Sequence, residues 1–76
     1  MDDFVVLEPS KDERFLSAQE TLQWLSNWLK VIDELPTDLN EKPSIEAAAE
    51  YLLDTACELE IKPGFTIQWY AVRLEN

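Results

Sequence analysis

The sequence predicts an α+β fold in which two antiparallel strands, one N-terminal and one C-terminal, pack on an α-helical hairpin in the order β-α-α-β. Three observations predict it: a short β-branched segment near the start, two segments with helical periodicity, and an aromatic segment near the end. The length of 76 residues favours a single domain over residues 1–76. Because each short connection reverses the chain direction, both helices are expected on one face of the strand pair.

The two strands are marked by their composition. "DFVVLE" at residues 3–8 is rich in β-branched and aromatic side chains, and Pro9 ends it. "FTIQWYAVRL" at residues 65–74 carries large apolar groups on both faces. Just before it, Pro63 and Gly64 suit the two central positions of a type II turn. We expect the two strands to pair as neighbours, which leaves one edge of the C-terminal strand open.

Two helices are predicted between the strands. The first spans residues 18–35, where Ser17 is a good N-cap and Glu20 completes a capping box. Its apolar half is wide enough to contact two neighbouring elements. That half comprises Leu22, Trp24, Leu25, Trp28, Leu29, Val31, Ile32 and Leu35. After a loop at residues 36–43, Ser44 caps a second helix over residues 45–59. Its apolar stripe comprises Ile45, Ala48, Ala49, Leu52, Ala56 and Leu59.

The charge balance restricts the partners. Sixteen acidic and six basic side chains give a net charge of −10. Such a surface repels phosphate backbones and anionic lipids, so nucleic-acid and membrane-surface binding are disfavoured, whereas basic protein patches are the natural complement. No stretch approaches the ~18 apolar residues of a membrane span. The acidic start also lacks the features of a signal or transit peptide.

The residue types argue against an enzyme. The chain has no His, one Cys and one Gly, which disfavours a nucleophile–His pair, a zinc site and a glycine-rich phosphate loop. We therefore expect no catalytic, cofactor-binding or metal-binding residues. The lone Cys57 is expected to be a partly buried structural thiol at the side of the second helix. Its lack of a disulfide partner in the chain indicates a reducing, intracellular compartment.

The C-terminal strand presents two rows of side chains on opposite faces. One row holds Phe65, Ile67, Trp69, Ala71 and Arg73, and the other holds Thr66, Gln68, Tyr70, Val72 and Leu74. In one interpretation, one row packs on the helices while the other meets a second protein, since Trp, Tyr and Arg often dominate interfaces. In the other, the whole strand is buried within the fold. Because residues 66–72 carry no charge, the edge is unprotected, which favours pairing with a partner or a second copy.

Acidic side chains recur every four residues along the second predicted helix. The series is Glu46, Glu50, Asp54 and Glu58. It has two interpretations: an acidic ridge that binds a basic partner, or a solvated face that keeps an acidic protein soluble. The second interpretation is the more common one for runs of charge. A metal site on this ridge is disfavoured, because helix-face carboxylates without loop ligands rarely hold an ion.

Several segments resemble one known family. "YLLDTACELEIKPGFTIQWYAVRLE" at residues 51–75 resembles the C-terminal signature of the chlororespiratory reduction protein 7 family. "FVVLEP", followed by "ERFLSAQETLQWL", is similar to the opening of that family. The resemblance covers nearly the whole chain, and the loop at residues 36–43 is its least distinctive part. The block of Cys-Glu-Leu, Pro-Gly and Gln-Trp-Tyr is its most specific part.

The resemblance implies a function that the residues alone do not indicate. Members of this family occur in cyanobacteria and chloroplasts, and the plant members are linked to accumulation of the photosynthetic NAD(P)H dehydrogenase-like (NDH-1) complex. This implies a non-catalytic interaction factor that supports assembly or stability of the complex. The implied place of action is the cyanobacterial cytoplasm, at the thylakoid surface, or the stroma in chloroplast relatives.

The partners follow from the same resemblance. They are subunits or assembly intermediates of the dehydrogenase-like complex, with a homodimer through the C-terminal strand as a further expectation. The family has no established catalytic residues to carry over, so Gln68, Trp69, Tyr70 and Arg73 are interface candidates chosen by their chemistry. The alternative function is a small regulatory domain that binds an apolar ligand between the first helix and the sheet.

Overall fold

A computed structural model describes residues 3–32 and 35–72. In these residues the chain forms an α+β fold, with a four-stranded antiparallel sheet and helices on one of its faces. The elements are β1 (Asp3–Leu7), β2 (Arg14–Ser17), α1 (Ala18–Val31), α2 (Thr37–Asn40), α3 (Ile45–Thr55), β3 (Glu58–Lys62) and β4 (Phe65–Val72). The class agrees with the prediction, but the prediction of two strands in a simple β-α-α-β order is wrong.

The strand order in the sheet is β2-β1-β4-β3. The predicted antiparallel pair of N- and C-terminal strands is present, with Val6 opposite Trp69 and Val5 opposite Tyr70. However, β3 pairs with the other side of β4. The edge of β4 that was expected to be open is therefore paired over residues 65–68. The expected homodimer through the C-terminal strand stays a prediction. The edges of the described sheet are β2 and β3.

The β1–β2 hairpin was missed because β2 is short. Arg14–Ser17 has four residues, too few for a clear alternation, and it leads directly into the capping box of α1. The connecting turn closes where the Lys11 N–H donates to the Glu8 carbonyl oxygen at 3.1 Å. Ser10 lies at the third position of this turn with φ 65°, a conformation that glycine normally provides. Pro9 and Ser10 therefore form a turn with type II character.

The β3–β4 hairpin replaces the end of the second predicted helix. That helix, α3, stops at Thr55, and the extended Ala56 ends it by donating its N–H to the Leu52 carbonyl oxygen. The residues that follow, Glu58–Lys62, alternate polar and apolar side chains as a strand does. Gly64 has φ 81°, as the predicted type II turn requires. Between Glu60 and Lys62 the strand β3 advances two residues while β4 advances one, from Thr66 to Phe65, so β3 has one extra residue beside this turn.

The first helix begins as predicted. The Ser17 side chain accepts from the Glu20 N–H at 3.1 Å, and the Ser17 N–H donates to Glu20 Oε1 at 2.9 Å, which completes the capping box. The helix ends at Val31 rather than residue 35. It contacts α3 on one side and β1 and β2 on the other, so the expectation of two neighbouring elements is confirmed.

The predicted loop at residues 36–43 contains the short helix α2. Pro36 precedes the first turn, and its carbonyl oxygen accepts from the N–H groups of Leu39 and Asn40. Leu39 is only 4% exposed and belongs to the core. This single buried leucine fixes the connection between α1 and α3 to the rest of the fold.

One hydrophobic core lies between the sheet and the helices. Its buried apolar members are Phe4, Val6, Trp24, Leu25, Leu29, Leu39, Ala48, Ala49, Leu52, Leu59, Ile67 and Trp69. The indole rings of Trp24 and Trp69 meet edge to face, with centroids 6.2 Å apart and planes at 77°. The Cα atoms extend 41 × 29 × 16 Å, and the shortest dimension corresponds to one helix layer on one sheet.

Candidate protein interface

The two rows of β4 have different environments. Ile67 and Trp69 are 0% and 1% exposed and pack beneath the helices, while Tyr70 on the opposite face is 43% exposed. The cross-strand partners agree, because Trp69 faces buried Val6 and Tyr70 faces Val5. The Trp69 row is therefore core, and the Tyr70 row belongs to the sheet face that points away from the helices.

The four candidate interface residues therefore do not form one surface. Trp69 is in the core, so its side chain offers no surface to a partner. Gln68 and Tyr70 lie on the outer face, where Gln68 is half-buried and Tyr70 is exposed. Arg73 lies outside the described residues. Strand alternation alone separated the rows correctly, but only the packing of the helices decided which row was core.

An apolar row crosses three strands of the outer face. Phe15 of β2 is opposite Val5 of β1, and Val5 is opposite Tyr70 of β4. At about 4.8 Å between adjacent strands, this places Phe15 and Tyr70 about 10 Å apart across the sheet. Phe15 is 69% exposed, more than any other large hydrophobic side chain in the described residues. Phe15 lies just before the helix predicted over residues 18–35 and was not among the candidate residues, since its role depends on the β1–β2 pairing.

Leu7 and Val72 extend the apolar surface above and below this row. Both are half-buried, and both face the outer side by strand alternation. Leu7 is opposite Gln68, and Val72 is opposite Asp3. In the described residues no helix packs on this side of the sheet, because the buried core lies entirely on the other side. We call the surface formed by Val5, Leu7, Phe15, Tyr70 and Val72 the outer apolar face.

Acidic side chains border the outer apolar face. Glu58 of β3 is opposite Gln68, Glu60 is opposite Thr66, and both carboxylates are exposed. At another corner, the exposed Asp3 lies beside Val72. Arg14 of β2 is paired with Val6 and so faces the helix side, where its Nη2 contacts Glu8 Oε2 at 3.4 Å. The charges of Asp3, Glu58 and Glu60 beside the face are therefore negative, while Lys62, the cation of β3, is paired with Phe65 of the Trp69 row.

The predicted acidic ridge does not exist in the form expected. Glu46, Glu50 and Asp54 are exposed on α3 as predicted. Glu58 is not on this helix, because α3 ends at Thr55 and Glu58 begins β3. Its carboxylate instead joins the border of the outer apolar face. Glu46 and Glu50 line a shallow groove between α1 and α3, together with Gln19, Leu22, Gln23 and Ser26.

One carboxylate is mostly buried and fully engaged. The side chain of Glu8, at the end of β1, is 11% exposed. Its Oε2 accepts from the Trp24 Nε1–H at 3.0 Å and from Arg14, while Oε1 lies 3.7 Å from Lys11 Nζ. This group connects the β1–β2 hairpin to helix α1 on the covered side of the sheet. It is a structural contact, distinct from the acidic border on the outer face.

A model of one protein family matches residues 1–75 of the chain. Its description is Protein CHLORORESPIRATORY REDUCTION 7. The chain belongs to this family. The family suspected from the residues is thereby confirmed, and the family name links its members to chlororespiratory reduction.

A solved structure is also similar to this chain. It is the solution NMR structure of asl3597 from Nostoc sp. PCC7120, which is 46% identical and has a TM-score of 0.84. The match covers 97% of this chain and 81% of the other. At this identity and coverage, the two proteins share the same fold.

The space between α1 and the sheet, where an apolar ligand was the alternative expectation, is filled by side chains in this family member. Trp24, Leu25 and Leu29 of α1 belong to one buried cluster with Ile67 and Trp69, each at most 7% exposed, and the rings of Trp24 and Trp69 meet edge to face. Cys57 is exposed in the segment between α3 and β3, so its expected partial burial on a helix is wrong. No group of three acidic or cysteine side chains in the described residues is arranged to hold a metal ion.

The helices of the described chain are also short in relation to a bilayer. None of those in residues 3–32 and 35–72 is long and apolar enough to cross a membrane.

Proposed function

We propose that this protein is a non-catalytic interaction factor that supports the assembly or stability of the photosynthetic NAD(P)H dehydrogenase-like (NDH-1) complex. Membership of the chlororespiratory reduction 7 family supports the choice of complex. The partners are then subunits or assembly intermediates of that complex. The place of action is the aqueous phase at the thylakoid surface.

The observation that carries the proposal is the outer apolar face. It presents Phe15 and Tyr70, which are 69% and 43% exposed, on a sheet face that no described helix covers. Contiguous exposed apolar patches on a protein surface commonly mark interaction sites. Tyrosine and other aromatic side chains are also common among residues that dominate binding energy.

A binding role also fits the chemistry of the chain better than catalysis. The sequence has no His, and its single Cys57 is exposed in the connection between α3 and β3. The mostly buried carboxylate of Glu8, in the part of the chain that the structure describes, is engaged by Trp24, Arg14 and Lys11. The clearest features left on the surface are apolar and acidic side chains, which recognise partners rather than transform substrates.

Affinity purification tests the proposed function. The chain would carry a tag at its N terminus and be expressed in the cell that encodes it. Dehydrogenase subunits recovered with it would then be quantified by mass spectrometry. We expect these subunits to be enriched over an untagged strain, and deletion of the gene to lower the amount of assembled complex. A strain without the gene that accumulates the complex normally would contradict the proposal.

A further inference from the structure

We propose that the outer apolar face binds an apolar segment of a partner protein that is flanked by lysine or arginine side chains. This inference specifies the partner of the surface described above, and it rests on the proposed function only in treating the protein as an interaction factor. It does not depend on which complex supplies the partner.

The shape of the sheet restricts docking to its face. β4 pairs with β1 over residues 68–72 and with β3 over residues 65–68, which leaves only three residues on the β1 side and four on the β3 side for a further strand. The edge strand β3 carries Glu58, Glu60 and Lys62 and has a register irregularity, features that discourage pairing with another chain. The other edge strand, β2, has only four residues. The available surface is therefore the side chains of the outer apolar face.

The apolar centre of the face specifies part of the partner. Phe15, Val5 and Tyr70 form one continuous row through direct cross-strand pairing. Leu7 and Val72 lie on either side of it. A surface about 10 Å wide with aromatic groups at both ends matches the apolar stripe of a single secondary-structure element. The partner must therefore contribute several apolar side chains from one segment.

The acidic border specifies the charge of the partner segment. Asp3, Glu58 and Glu60 are exposed around the apolar centre, and the β2 cation Arg14 is turned to the helix side to contact Glu8. Complementary potentials across an interface require cationic groups on the partner. Lysine or arginine side chains that reach past the apolar centre also come within range of the exposed rings of Phe15 and Tyr70.

Charge also argues against a second copy of this chain. A symmetric dimer places the same patch on both subunits. Each copy would then contribute Asp3, Glu58 and Glu60 to the contact, and each chain carries a net charge of −10. Like charges brought together across an interface oppose binding. A homodimer through this face is therefore disfavoured by the same groups that favour a basic partner.

Site-specific cross-linking tests the proposal. A photoreactive phenylalanine derivative would replace Tyr70, and the same group would replace Tyr51 as a matched control. Tyr51 is also exposed but belongs to α3 in the helix layer. The tagged protein would be mixed with a total detergent-solubilised extract of the cell that encodes it, which contains the dehydrogenase complex, then irradiated and digested for peptide identification. We expect position 70 to capture a peptide with apolar residues flanked by Lys or Arg, and position 51 to capture it much less.

Charge variants provide the second measurement. Glu58→Gln with Glu60→Gln removes the acidic border, and Glu46→Gln with Glu50→Gln changes the charge by the same amount on α3. If each lost ion pair is an exposed one, binding should weaken by about two- to thirtyfold for the border variant. Its remaining binding should also depend less on salt. The α3 variant should bind as the unmodified protein does.

The outcomes separate this inference from the proposed function. A position-70 cross-link to a basic segment of a protein outside the dehydrogenase complex would support the surface and contradict the function. Recovery of dehydrogenase subunits through position 51, with none through position 70, would support the proposed function and contradict the outer apolar face as its binding surface. A cross-link from position 70 to a second copy or to this chain's own residues 73–76 would overturn the inference. So would an absent cross-link, or equal binding by the two charge variants.

Discussion

The two faces of the sheet are built from the same strands but have opposite roles. On the inner face, Val6 and Trp69 are each 1% exposed and pack under α1. On the outer face, the adjacent residues Val5 and Tyr70 are paired in the same way but remain accessible. The difference shows that in this protein apolar character does not by itself indicate core. Position relative to the helices decides whether an aromatic side chain stabilises the fold or is available for binding.

The largest expected effect is on the inner face. Trp69→Ala should lower the free energy of unfolding by about 3–5 kcal/mol, because it removes a fully buried ring that contacts Trp24. Trp69→Phe should cost clearly less. It keeps an aromatic ring and removes the Nε1–H, which has no hydrogen-bond partner in the described residues. Urea denaturation followed by circular dichroism measures both. Equal losses for Trp69→Ala and Tyr70→Ala would remove the distinction between the faces.

The next effect concerns the polar contact that ties the inner face together. Glu8→Ala should destabilise the protein by about 1–3 kcal/mol, because it leaves the Trp24 Nε1–H without its acceptor. Glu13→Ala, in the exposed part of the same connection, is the control and should change stability by at most about 0.5 kcal/mol. The measurement is thermal unfolding at neutral pH. Similar melting temperatures for the two variants would show that the Glu8 contact contributes little.

Substitutions in the two hairpin turns should change the free energy of unfolding by a smaller amount. Gly64→Ala should cost about 1 kcal/mol, because Gly64 has φ 81° while the added Cβ meets no atom within 4 Å. The loss is therefore one of backbone conformation alone. Ser10→Gly, at φ 65° in the other hairpin turn, should stabilise the protein or leave it unchanged. Equilibrium unfolding in guanidinium chloride measures both. A destabilising Ser10→Gly would indicate that the Ser10 side chain contributes more than its backbone strain costs.

The smallest effect on stability is expected on the outer face. Tyr70→Ala and Phe15→Ala should each change the free energy of unfolding by about 1 kcal/mol or less, because neither side chain is in the buried core, with Tyr70 43% and Phe15 69% exposed. If the face binds a partner, each should nevertheless reduce recovery of that partner by on the order of tenfold or more. Tyr51→Ala on α3 is the control for an exposed aromatic residue. A large loss of stability with unchanged partner recovery would assign the outer residues to the fold alone.

The fold was predictable from the sequence where the signal was local. The two helix starts are marked by capping signals between residues three apart, Ser17 with Glu20 and Ser44 with Ala47. These signals are local, so they do not depend on how the elements pack. Gly64 marked its turn because only glycine adopts that φ freely. The alternation of Glu58–Lys62 is also a usable local signal for β3, but the helix predicted over residues 45–59 includes its first two residues.

The candidate site depended on information that is not local. The composition of residues 65–72 indicated a strand with two apolar rows, and the charge of −10 indicated a basic partner. Which row was core followed only from the side on which α1 and α3 pack. Pairing of β2 with β1 places Phe15 in the outer apolar face. Pairing of β3 with β4 places Glu58 at the border of that face rather than on a helix. Strand pairing joins residues far apart in sequence, so it has no signal within a single segment of the chain.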